Sequence, residues 1–441
     1  MNILMFTNTY VPIVGGVSES VQRLKGQLQQ FGHRVMVVAP RFHGQPYHEE
    51  GVFRVAAVQQ FNGSDFSLPV PIPSLLYDAI EAFEPDIVHS HHPFLLGDTA
   101  IRVAEIYGLP LVFTHHTLYE HYTHYVPGDS PRMRRFVVAL ATQYTRLCDE
   151  VIAPSESIRD LLIERQANAD ITVVPSGVDI HRFGKGDGQH WRTIFGIPSH
   201  STVLGHVGRL AKEKNLDFLA EGVCLALAQD KDCWWLVVGD GESRETMQAC
   251  ARRHGVEQRV CFTGRLQGKE LIDAYQAMNV FAFASHSETQ GMVIAEAMAA
   301  GLPVVALDAP GVREVVEDGR NGRLLQEEDS GAFSQALLEC AAPACRERMH
   351  REALVTAESY DESRCARRCL VVYRLAIARG GAFTHADDGG WEKVRSRLGA
   401  EWQMLRYRGR LLRQLMKEEW REERPSWWPG EEENETDRLL K

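Results

Sequence analysis

The chain has 441 residues, 44% hydrophobic and 24% charged, enough for two ordinary cores and too apolar for a disordered chain. Its net charge of −11 excludes general nucleic-acid binding, which needs a broad basic surface. Nine cysteines without a CxxC pair, and a start (MNILMFTNTY) with no basic n-region or cleavage site, read as reduced thiols in a cytoplasmic protein.

Along the chain, Ile3–Thr7 reads as a strand and Val17–Phe31 as a helix, with VPIVGGVSES between them. Strands follow at Arg34–Ala39, Ile87–His89, Leu111–Thr114 and Glu150–Ala153, alternating with helical segments. Short apolar runs of this kind imply a parallel sheet covered on both faces. Periodicity breaks over Pro175–His200, through PSGVD and GKGDGQ, and then restarts. Thr202–Val207, Trp234–Val238, Val260–Thr263, Val280–Ala284 and Pro303–Ala306 form a second strand series. Two such series predict two doubly wound α/β domains, 1–190 and 191–359, with a ligand crevice beside the strand C-termini.

A closing helix is predicted over 360–380, and 381–441 reads as an appendage. Within it Trp391–Lys417 carries a net charge of +6, with Trp391, Val394, Leu398, Trp402 and Leu405 at helical spacing, and an acidic tail follows. A basic amphipathic helix of this kind suits an anionic membrane surface, and equally suits docking on the enzyme or a second subunit. No segment reaches the roughly 20 apolar residues of a membrane span; the best, Met292–Val305, is interrupted by Glu296.

Three loops carry candidate chemistry. Gly15 and Gly16 follow the first strand and open a helix, so their N–H groups can face an anion. A tight turn explains a Gly-Gly pair equally well, and no GxGxxG fingerprint follows the strand. Gly208-Arg209-Leu210, with Lys212 and Lys214, follows the first strand of the second domain, where a pyrophosphate could be clamped by Arg209 and Lys214 while Lys212 faces solvent. In SHSETQGMVIAEAMAAGLPVV (Ser285–Val305) a helix begins near Gly291, and the N–H groups of Gly291, Met292 and Val293 can receive a phosphate. Glu288 precedes that helix and projects toward a sugar; Glu296, in its second turn, can accept hydrogen bonds from ribose hydroxyls. An exposed Glu at a helix start is the plainer alternative.

Histidines 89, 91, 92, 115, 116, 121 and 124 crowd one stretch, yet no carboxylate or Cys accompanies them at zinc-site spacing, so no metal is assigned.

The E-x7-E spacing of Glu288 and Glu296, with GRLAKEKN upstream and VPSGVD at the join, resembles glycosyltransferase family 4 over roughly residues 1–380. The resemblance implies the GT-B fold and transfer of a sugar from a UDP- or GDP-sugar with retention of configuration. It implies that Gly16, Arg209 and Lys214 hold the diphosphate, Glu288 the donor sugar and Glu296 the ribose. Many members have Phe or Tyr before the loop glycine, where this chain has Thr289 and Gln290. The form ETQG, and THHTLYEHYTHYVP (Thr114–Pro127), resemble the bacterial diacylglycerol glucosyltransferases, in which the His of the HT pair, here His116, faces the reaction centre.

The resulting expectation is a retaining hexosyltransferase that moves glucose from UDP-glucose to a membrane lipid such as diacylglycerol, in the cytoplasm or on the inner face of the cell membrane. The same chemistry on a soluble sugar, polyol or polysaccharide is the first alternative, and an inactive nucleotide- or membrane-binding scaffold the second. No Asp or Glu is placed as a covalent nucleophile, which favours front-face departure of the diphosphate. No cofactor is expected, since cations and a helix dipole can carry the developing charge.

Overall fold

A computed structural model describes residues 1–380 apart from 14, 43–44, 46–47, 59–67, 70–72, 124–129 and 168–169. The expected amphipathic helix at 391–417, the acidic tail and His124 lie outside the described residues.

The first domain is built on β1 (Asn2–Phe6), β2 (Arg34–Pro40), β3 (His48–Glu49), β4 (Val52–Val55), β5 (Ala57–Val58), β6 (Leu68–Pro69), β7 (Ile87–Ser90), β8 (Leu111–Thr114), β9 (Glu150–Ala153) and β10 (Ile171–Val173). Eight strands form one sheet in the order β10-β9-β8-β7-β1-β2-β4-β3, parallel except for the antiparallel β3–β4 pair; β5 and β6 pair separately. The second domain has six parallel strands, β11 (Thr202–Val207), β12 (Cys233–Val238), β13 (Val260–Gly264), β14 (Val280–Phe283), β15 (Val304–Leu307) and β16 (Gly322–Leu325), ordered β13-β12-β11-β14-β15-β16. Both faces of each sheet are covered by buried clusters, which is why the central strands read as unbroken apolar runs. These are the two Rossmann-like domains of a GT-B fold.

Strands that escaped the sequence pattern lie toward sheet edges. β10 and most of β16 are only half-buried and lack a continuous apolar run. β4 is interrupted by Arg54, a buried guanidinium that bonds Glu49 and the carbonyls of Val11 and Pro40. A charge inside a strand is tolerated there because its partners satisfy it.

The chain crosses between domains twice, side by side. Val178 donates to the Tyr360 carbonyl (2.8 Å) and Glu362 donates to that of Val178 (3.1 Å). A Cβ on Gly177 would lie 2.2 Å from Cα of Glu362, so the glycine of PSGVD permits the close crossing. The change of core comes earlier than residue 190: Val174 packs in the first domain, whereas Phe183 and Trp191 already pack with Tyr275 and Met278 in the second. The closing helix, Glu362–Arg379, returns to the first domain. Asp361 caps it by accepting from Arg364 N–H, and Cys369, Leu370 and Tyr373 pack against Met5 and Val21.

In each sheet the strand order reverses beside the first strand, between β1 and β7 and between β11 and β14. Ligands of open α/β sheets bind outside the strand C-termini at such switch points. The Gly15-Gly16, His91-His92, Arg209–Lys214 and ETQG segments all follow those four strands.

Candidate active site

After β1, Gly15 caps the helix Gly16–Gln30, and Ser18 Oγ donates to the carbonyls of Ile13 and Gly15, tying the loop to its helix. Both glycines are exposed, and a Cβ on either would meet nothing within 4 Å. Neither crowding nor backbone conformation demands them, so the tight-turn explanation loses its force and open space at a helix N-terminus remains.

Two loops of the second domain meet. Lys214, from the turn after β11, forms a 2.5 Å ion pair with Glu288, from the loop after β14. Burial works against the Lys214 charge, but Glu288 more than offsets it and raises the lysine pKa. Arg209 pairs with Glu213 and lies 5.9 Å from the Tyr122 ring centroid of the first domain. Lys212 is exposed, as expected. The candidate phosphate cations and the candidate sugar carboxylate thus form one charged cluster, with cations already balanced by carboxylates.

The helix predicted to start near Gly291 spans Met292–Ala299 with Gly291 as its cap, at φ 71°, a left-handed conformation that favours glycine. The Gly291 carbonyl accepts from Ile294 and Ala295. The N–H groups of Met292 and Val293 belong to the first turn, which has no intrahelical acceptor, and both residues remain partly accessible.

The ETQG loop is fastened to the first domain and to the linker. Thr289 Oγ1 donates to the His116 carbonyl (2.8 Å). The Gln290 side-chain amide reads both sides of Ser176, accepting from its N–H (2.6 Å) and donating to its carbonyl (2.7 Å). Thr289 and Gln290, the positions departing from the common family pattern, therefore both bond across the interface. The backbone of His116 thus meets the loop that carries Glu288, while its side chain turns to His91.

Glu296 does not stand free to meet a ribose. Its carboxylate is buried, Oε1 accepting from Arg23 (2.7 Å) and Oε2 from the Tyr275 hydroxyl (3.1 Å). Arg23 also bonds Glu19 and the Gly177 carbonyl, so Glu296 is first of all one end of an interdomain ion pair. Burial and Glu296 together hold the Tyr275 phenol protonated, as the donor this arrangement needs. Arg23 and Tyr275 lie in no sequence motif, and Ser176, within VPSGVD, is assigned no role by the sequence. The Gly239–Ser243 loop also borders the site, and GDG after a strand is its signal in the sequence; its Asp240 carbonyl accepts from Leu210 N–H and its Ser243 N–H donates back to the Leu210 carbonyl.

The histidines form a buried chain. His116 Nε2 lies 2.9 Å from His91 Nδ1, the His91 and His89 rings are 4.0 Å apart, and His89 bonds Tyr373 (2.6 Å) and Thr114 (2.7 Å). Burial, reinforced by neighbouring histidines, lowers His89 and His92 to about 3 and His91 well below its usual range; burial, with the Arg165 charge and then His116, lowers His115 to about 3; burial alone lowers His116 to about 4. His91 Nε2 has no partner among the described residues. A buried unpaired N–H is rarer than an unpaired acceptor, so His91 donates from Nδ1 and His116 carries its own proton on Nδ1.

Two Rossmann-like domains facing across a cleft, with cations and a helix N-terminus at the second switch point, define a glycosyltransferase of the GT-B class. Residues 14–182 match the family model described as Glycosyltransferase Family 4, and residues 201–342 match Glycosyl transferases group 1. The chain belongs to glycosyltransferase family 4. It is 29% identical over 370 residues to the alpha-monoglucosyldiacylglycerol synthase of Streptococcus pneumoniae, covering 82% of this chain and 83% of that one. It is 31% identical over 369 residues to a GDP-mannose-dependent alpha-mannosyltransferase of Mycobacterium tuberculosis, covering 81% and 92%. Similar solved structures include Anabaena HepE in complex with UDP (TM-score 0.66, 21% identity, 85% and 100% covered) and sucrose-phosphate synthase from Thermosynechococcus elongatus (TM-score 0.70, 19% identity, 86% and 99% covered).

Proposed function

We propose that this glycosyltransferase moves glucose from UDP-glucose to a membrane lipid of the diacylglycerol type, with retention of anomeric configuration. The observation that carries the reading is the meeting of ETQG with the HT segment, through the Thr289–His116 hydrogen bond, beside the Lys214–Glu288 pair. Both segments resemble the branch to which the pneumococcal relative belongs by name.

In this reaction the bond from the anomeric carbon to the diphosphate oxygen breaks, and the acceptor hydroxyl oxygen bonds to that carbon on the same face. Its proton passes to the departing diphosphate oxygen. Arg209, Lys214 and the N–H groups at Gly291, Met292 and Val293 stabilise the negative charge that develops there. Gly15 and Gly16 leave room for the diphosphate, and His116, neutral with its proton on Nδ1, offers the sugar a hydrogen bond rather than a charge. Glu288 receives donor-sugar hydroxyls once the diphosphate takes Lys214 from it, and Glu296 offers the ribose its remaining lone pairs.

The test is incubation of the full chain with a panel of UDP- and GDP-sugars, with and without diacylglycerol vesicles, and product mass. A lipid product one hexose heavier, made from UDP-glucose and α-linked by NMR coupling, is expected; turnover confined to soluble acceptors, or a β-linked product, defeats the reading. A second reading, mannosyl transfer from GDP-mannose, is favoured by the similarity to the mycobacterial mannosyltransferase, and the same panel separates the two.

A further inference from the structure

Away from the cleft, a carboxylate, a thiol and an imidazole converge between the helices Leu216–Gln229 and Arg244–Arg253, which lie on either side of β12 in sequence, with a second thiol beside them. Glu221 and Cys224 are three residues apart on the first helix; Cys250 and His254 are four apart at the end of the second. Each pair therefore shares one helix face. Cys250 Sγ is 3.4 Å from Glu221 Oε2, and His254 Nε2 is 3.0 Å from Glu221 Oε1. The ligand atoms of Glu221, Cys250 and His254 all lie within 4.8 Å of one another, and Cys224, one turn from Glu221 on the same helix, is a buried thiol beside Cys250.

The spacings of Glu221, Cys250 and His254 fit three corners of a tetrahedral site, and the neighbouring Cys224 thiol is the candidate for the fourth. Bonds of about 2.0–2.3 Å to a central zinc place neighbouring ligand atoms about 3.3–3.8 Å apart, so small shifts would close the set. Two thiolates, an imidazole and a carboxylate form a donor set that zinc takes and that magnesium and calcium do not. The charges also close. Arg253 pairs with Glu221 and lies 3.5 Å from Cys250 Sγ. With it, a dication and three anionic ligands form a neutral unit, and the guanidinium holds the carboxylate in place from outside. Both cysteines are buried, while Glu221 and His254 are partly accessible and leave a path for entry.

We infer that Glu221, Cys224, Cys250 and His254 bind one soft divalent cation of the zinc type as a structural site. It joins the helix that follows the Arg209–Lys214 loop to the helix that follows the Gly239–Ser243 loop. Those loops are bonded through Leu210, so the ion would brace the base of the cation cluster without touching substrate. The inference does not depend on which donor or acceptor the enzyme uses.

The test uses the tag-free full chain, reduced, stripped with chelator and titrated with zinc and then with cobalt. Native mass and Tm should report one equivalent and a stabilised protein, and cobalt should give a thiolate charge-transfer band in the near ultraviolet. Cys250→Ser should weaken that band, since one of its two thiolates is lost. His254→Ala, whose partly accessible site makes folding secure, should weaken zinc binding by more than the roughly 10–100-fold loss seen for outer-shell partners. Failure of the reduced wild type to bind zinc overturns the proposal, as does zinc binding of wild-type strength in both variants. A Cys224–Cys250 disulfide whose reduction restores no zinc uptake overturns it as well.

Discussion

At the scale of single residues, charge balance governs the site. Lys214 is held by Glu288 and Arg209 by Glu213, so in the absence of donor the cations are neutralised by groups that a diphosphate can replace. Lys214→Ala and Arg209→Ala should each lower kcat by 10²–10³, about 3 kcal/mol of transition-state stabilisation; steady-state turnover within twofold of wild type in both would remove them from the mechanism. Glu288→Gln leaves the largely buried Lys214 charge without its partner, so its Tm should fall, but activity should fall by far more than that loss of stability explains. The histidines predict a pH dependence of stability. Their pKa values fall in the folded chain, so the unfolded chain binds more protons between about pH 4 and 6.5. Stability is therefore full above about 6.5 and is lost as pH falls, by up to about 1.4 kcal/mol per pH unit for each histidine. Urea midpoints should drop clearly between pH 7.5 and 5.5, and equal midpoints would show that the cluster takes up protons freely when folded.

At the scale of elements, the ETQG loop and the helix it opens act as one piece. Gly291 occupies a left-handed cap, and a Cβ there would lie 3.1 Å from both the Gly311 carbonyl oxygen and Ile294 Cδ1. Gly291→Ala should therefore destabilise the protein by about 1–2 kcal/mol and raise the donor KM, because strain falls on the N–H groups assigned to phosphate. Gln290→Leu should act differently. It leaves both backbone groups of Ser176 without the side-chain amide, at about 1–3 kcal/mol for each group that water cannot reach. Unfolding by denaturant should register that loss; a variant as stable as wild type would show that the linker is held by other means.

At the scale of the whole molecule, the question is how two domains are kept in register. The Arg23–Glu296 pair, the Thr289–His116 and Gln290–Ser176 bonds, and the bond from Ser157 N–H to Glu314 (2.7 Å) all span the cleft or its linker. Breaking a buried ion pair from one side strands a charge, at about 3–5 kcal/mol. Arg23→Ala should thus loosen the closed arrangement, seen as a larger radius of gyration by small-angle scattering. If Glu296 also meets the ribose, Glu296→Gln should raise the donor KM by an amount that its change in stability does not explain; unchanged KM would leave it a strut. The expected membrane role of 391–417 is tested by truncation after Arg379. At about 1 kcal/mol per basic residue near an anionic leaflet, six net charges suffice for reversible attachment. The truncated enzyme should keep donor hydrolysis and lose sedimentation with anionic vesicles; binding equal to full length would assign the attachment elsewhere.

The sequence by itself determined the alternation of the central strands, the restart of the series after Pro175–His200, the glycine caps and the E-x7-E loop. Each is written within a few residues, by a period of 2 or 3.6 or by the φ that a turn demands. Edge strands such as β10 and β16 carry too short and too mixed a pattern for that signal to survive. Tertiary structure alone decided the partners. Arg23 meets Glu296 across 273 residues, His116 meets Thr289 across 173, and Ser176 meets Gln290 across 114. The Glu221–His254 cluster assembles from two helices whose facing is set by the sheet beneath them. These contacts follow from how two sheets and a doubly crossed linker pack, and packing selects side chains by position in space, which no local period encodes.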